Sequence, residues 1–118
     1  GFWKNHPGDW FVTTLTMGGY AYDQAALLGL LDAPVAGDTS LILVKQLVAA
    51  RLNEAQGADT SAVDTALADA EQWLVDNDDG NGLPFGSSDT GAVGIAATLE
   101  AWNVGDTGPG YCPETDAG

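Results

Sequence analysis

Three basic residues, one cysteine and one histidine are all that this chain holds of the side chains that meet polyanions, form bridges or gather transition metals. Lys4, Lys45 and Arg51 stand against 17 Asp and Glu, for a formal charge of −14 at pH 7. Nucleic acid and anionic membrane surfaces both require a positive face, so neither is expected as a partner. Cys112 cannot close an intrachain bridge alone; it is free, pairs outside these residues or joins another chain. His6 alone cannot make a multi-His metal site. No apolar run reaches the ~20 residues that span a bilayer, so direct membrane insertion is not expected. An initiator Met and a signal peptide are lacking too, and the chain reads as a processed product or a piece of a longer polypeptide. It carries no Gly-rich phosphate loop before a helix, no GxSxG, no HExxH and no Asn-x-Ser/Thr sequon.

What remains is still enough for a core. Hydrophobic residues make up 45% of the 118, including four Trp, which argues against disorder despite 16 Gly. A single domain of this length buries ~65% of its unfolded surface. So acidic a surface repels itself at low ionic strength and is tolerated best where salt screens it or divalent cations bind it. An extracellular or cell-surface setting fits, and so does a generically soluble acidic protein.

The organising stretch is Ser40 to Gly57. Leu41, Val44, Leu47, Val48, Leu52 and Ala55 recur at helical spacing, and Ile42, Leu43, Ala49 and Ala50 widen the stripe. Ser40 is the expected cap and Gly57 the expected left-handed stop. Apolar on most of its circumference, this helix must be covered on several sides, which predicts an all-α fold. The helices of that bundle are read at about 24–31, 41–56, 62–76 and 90–104. Asp23 caps the first, which Asp32-Ala-Pro34 stops. Ser61 with Asp64 resembles a capping box for the third. The fourth turns Val93, Ile95, Ala96, Leu99 and Trp102 inward, and its small residues Gly91, Ala92, Gly94 and Ala97 allow close helix approach. Around this core (23–105) lie an aromatic-rich irregular cap segment (1–22) and a Gly/Pro tail (106–118). Within the cap segment, Trp10 to Thr16 is β-prone, and a short hairpin across Gly18-Gly19 onto Tyr20–Tyr22 is an alternative left open.

Four constellations invite chemistry. Trp3, His6 and Trp10 could form an aromatic wall around a base, but a general base needs a nucleophile and an oxyanion partner, and none is evident. Rings that seal one end of a bundle explain them better, with Trp3 and Trp10 left as candidates for stacking on a sugar. A Cys112–His6 dyad would need the chain ends to meet, and Cys112 has no activating charge nearby. Asp76-Asn-Asp-Asp-Gly-Asn-Gly82 is the most specific signal: Asn77, Asp79, Asn81 and Gly82 fall on EF-hand positions one, three, five and six. Oxygens at alternate positions suit Ca²⁺, with Asp76 beside them. Against this, the twelfth position is Ser88 and Pro84-Phe85 interrupts the outgoing helix, so a solvated Asx-rich turn explains the loop better, with a weak Ca²⁺ site as the alternative. Lys45 and Arg51 are six apart, roughly 120° from sharing a helix face, and each is expected to reach an acid, Arg51 reaching Glu54.

The blocks GFWKNHP with Trp10, LTMGGYAY, LLGLLDAPVAGD, QLVAARLNEAQGAD and GDTGPGYC run in order from Gly1 to Cys112. Together they resemble a family of uncharacterised secreted bacterial and archaeal domains marked by G-[FY]-W-K-N-H-P-x-x-W and a closing G-P-G-x-C. The resemblance implies a compact helical extracellular module, often part of a longer surface polypeptide, with no assigned enzymatic activity. In relatives of that kind a cysteine commonly sits a few residues before the opening motif. The departure here is its absence, and the resemblance then implies a partner for Cys112 upstream of Gly1 or on a neighbouring subunit. The expected function is therefore a non-enzymatic structural or interaction module that associates with copies of itself or adjacent domains, as in a surface appendage or filament. Phe2, Trp3, His6, Trp10 and Tyr111 are the expected contact residues. A Ca²⁺-dependent carbohydrate-binding or adhesin module is the alternative, and a hydrolase using an acid pair ranks last.

Overall fold

A computed structural model describes residues 8, 10, 12–78 and 86–104. Among the described residues the order is a strand pair, β1 (Thr14–Met17) and β2 (Tyr20–Asp23), then four helices, α1 (Gln24–Asp32), α2 (Thr39–Ala55), α3 (Asp64–Asn77) and α4 (Thr90–Asn103). The chain is mostly helical, with one departure from the all-α expectation. β1 and β2 form an antiparallel two-stranded sheet in the register Thr14↔Asp23 to Met17↔Tyr20. The turn supplies the reason. Gly18 and Gly19 have φ of 59° and 91°, the doubly left-handed geometry whose twist matches a two-residue hairpin and which side chains disfavour. A lone hairpin is marginal in water, and this one is held against α3. Met17 is buried, Gly18 N donates to Glu71 Oε1 at 2.8 Å, and the Tyr20 hydroxyl donates to Asp78 Oδ2 at 2.8 Å.

β2 runs straight into α1. Asp23 is the cap, accepting from Ala26 N at 2.8 Å, as its position before an apolar run predicts. Leu27, Leu30 and Leu31 are buried, and Ala33 N closes the helix onto the Gly29 carbonyl before Pro34.

α2 is the central helix. Leu41, Leu43, Val44, Leu47, Val48, Ala50 and Leu52 are buried, and α1, α3 and α4 all pack on it, α4 most extensively. Its start differs from the expected one. Asp38, not Ser40, is the cap: its carboxylate accepts from Ser40 N at 2.9 Å and from the Ser40 hydroxyl at 2.6 Å. A carboxylate with two acceptor oxygens outcompetes a hydroxyl that is itself buried. Gly57 follows the helix at φ 103°, as expected of a left-handed stop.

α3 also begins later than its Ser61 signal suggests. Ser61 N is taken by Asp59 Oδ1 at 2.9 Å, Asp64 Oδ1 accepts from the Thr60 hydroxyl at 2.8 Å, and the buried Val63 becomes a cap without a side-chain bond. The local Asx turn thus wins over the capping box. Leu67, Ala70, Trp73 and Leu74 face inward.

In α4 the buried set is Ala92, Ala96, Leu99, Trp102 and Asn103. Val93, expected inside, is 39% exposed. The inward face of α4 runs through Ala92, Ala96, Leu99 and Asn103, at i, i+4, i+7 and i+11, and Val93, one position on from Ala92, falls outside it. Asn53 Nδ2 donates to Asn103 Oδ1 at 3.0 Å, while Asn103 Nδ2 donates to the Gln46 carbonyl at 3.0 Å, so a buried polar pair fixes the register of α2 on α4. No described helix is long and apolar enough to cross a membrane.

Candidate interaction surface

With Ala92, Ala96, Leu99 and Trp102 committed to the core, α4 leaves a distinctive exterior. Thr90, Gly91, Val93, Gly94, Ala97 and Thr98 are exposed, and none carries charge. Beside it, Ala62, Thr65, Ala66 and Asp69 come from α3 and the turn before it. Positions 62, 65, 66 and 69 and positions 91, 94, 95 and 98 each follow the i, i+3, i+4, i+7 rule that places residues on one helical face. The two faces enclose an open groove of about 460 Å³, with Ala66 and Ile95 half-buried along it and Asp69 its sole ionisable lining residue.

The two glycines of this groove differ in what surrounds them. A Cβ on Gly94 would meet nothing within 4 Å, and one on Gly91 would meet the Asp89 carboxylate at 3.2 Å. Glycine inside a helix costs about 0.5–1 kcal/mol relative to alanine. At Gly94 no crowding among the described residues accounts for that cost. The small residues expected to allow close approach are thus split by the fold: Ala92 is buried, whereas Gly91, Gly94 and Ala97 are exposed.

The two described cations, Arg51 and Lys45, are engaged elsewhere. Arg51 spans Glu54 Oε1 and Glu71 Oε2, each at 3.0 Å, meeting the expected acid and tying α2 to α3 through a second. Burial works against its charge, but the hydrogen bonds to Glu71 and Glu54 prevail and hold its pKa above the ordinary value. Lys45 Nζ donates to the Leu31 carbonyl at 2.7 Å, at the end of α1.

A second feature, unmarked in the sequence, lies where α2 and α4 begin. Besides capping α2, the Asp38 carboxylate accepts from Ser87 N at 3.0 Å and Gly86 N at 3.2 Å, and Thr39 N donates to the Ser87 carbonyl at 2.8 Å. Burial pushes the Asp38 pKa up, but these donors, the Ser40 hydroxyl foremost, outweigh it and leave it below the ordinary carboxylate value. Next along, Asp89 caps α4 through Gly91 N and accepts from the Trp73 indole at 2.7 Å. That indole bond, then the Gly91 amide, lowers the Asp89 pKa. A hollow of about 260 Å³ opens beside Asp38, bounded by Ala36, Gly37 and Gly86–Ser88. Ala36 sits at φ 48° in this turn. The arrangement is a clasp joining three helices.

The expected contact and ligand residues fall as follows. Trp10 is only 9% exposed and belongs to the core, so its ring is not offered as a platform. Phe2, Trp3, His6, Tyr111, Cys112, Asp79 and Asn81 lie outside the described residues. Of the Asx loop, Asp76 Oδ1 accepts from Gln72 Nε2 and Asn77 Nδ2 donates to the Trp73 carbonyl, so both side chains also serve the end of α3. Among the described residues no group of three His, Cys, Asp or Glu is placed to hold a metal ion. The Trp102 indole N–H is buried without a partner among the described residues. Compared with family models, curated proteins and solved structures, the chain has no match in any of the three.

Proposed function

We propose that this chain is a non-enzymatic interaction module that associates with copies of itself, or with adjacent domains of a surface polypeptide, in a salt-containing extracellular setting. The observation that carries the reading is the uncharged exterior of α4 from Thr90 to Thr98, beside the groove shared with α3. Two bodies each bearing −14 repel wherever acid meets acid. They meet at least cost across a face poor in charge, where Asp69 is the sole ionisable residue lining the groove. Gly91, Gly94 and Ala97 permit a close backbone approach there, and Val93 adds exposed apolar area at 39%. The resemblance to secreted surface domains points the same way.

The test is size-exclusion chromatography with light scattering, across a concentration series, of wild type and Gly94→Glu. The wild type is expected to gain mass with concentration, and Gly94→Glu to stay monomeric with an unchanged circular dichroism spectrum. Equal association of the two proteins would remove the α3–α4 face from the proposal, and a monomeric wild type would remove self-association itself.

A further inference from the structure

We draw no further inference here: the strongest candidate outside the α3–α4 groove, the hollow between the Ala36–Asp38 turn and Gly86–Ser88, is a helix N-terminus whose Asp38 carboxylate already serves as the cap, and nothing else in the structure points to a ligand there.

Discussion

Gly18, Gly94 and Asp38 show how differently single residues are used. Gly18 combines φ 59° with a position where a Cβ would stand 2.7 Å from Leu74 Cβ. Gly18→Ala is therefore expected to destabilise the fold by about 2–4 kcal/mol, from backbone strain plus overpacking, read as a lower urea midpoint. Gly94→Ala meets neither obstacle and is expected to stabilise it by about 0.5–1 kcal/mol. Asp38 works through its charge. Removing a cap of this type costs about 1–2 kcal/mol, so Asp38→Ala should lower the urea midpoint at neutral pH. Its folded pKa is depressed, so its stabilisation is present above the unfolded pKa of about 4 and is lost as pH falls through the folded value. Asp59, hydrogen-bonded to Ser61, and Asp89 shift in the same direction. Wild-type stability should thus decline on acidification below about pH 5, and Asp38→Asn should flatten that decline. An unchanged slope in Asp38→Asn would deny the clasp its electrostatic role.

At the scale of elements, α2 and α4 are joined by apolar packing plus the buried Asn53–Asn103–Gln46 set. Asn103→Ala leaves the Asn53 amide and the Gln46 carbonyl each without this partner, an expected loss of about 1–3 kcal/mol. A double-mutant cycle with Asn53→Ala should return a coupling above about 0.5 kcal/mol, and strict additivity would show the bond to be idle. Sequence order made the helices legible because their apolar stripes are long and periodic. α2 was readable down to its Gly57 stop. The errors sit where two local chemistries compete: Asp38 against Ser40 for one cap, and Asp59 against the Ser61 box for another. Val93 shows the limit of hydrophobicity alone, which does not say whether Ala92 or Val93 takes the inward position on α4. The hairpin was the weakest signal, since β1 and β2 are four residues each and depend on Glu71 and Asp78, 53 and 58 positions away in sequence. The clasp was illegible for the same reason. Asp38 and Ser87 are 49 residues apart, and no spacing rule connects them.

For the whole molecule, charge sets the terms. At low ionic strength the net −14 should both loosen the fold and keep copies apart. At 0.1 M salt the Debye length is only ~10 Å, so distant carboxylates cease to act on one another. Thermal stability and association should therefore rise together as sodium chloride is added, without any need for a specific ion. The groove between α3 and α4 can contribute only once that repulsion is screened. Sedimentation velocity at fixed protein concentration, from low to high sodium chloride, addresses this directly. A boundary that moves from monomer to larger species as salt rises, and that Gly94→Glu holds at monomer throughout, is the expected outcome. A wild-type chain that sediments as monomer at high salt and high concentration would mean that its uncharged α4 face does not bring copies together.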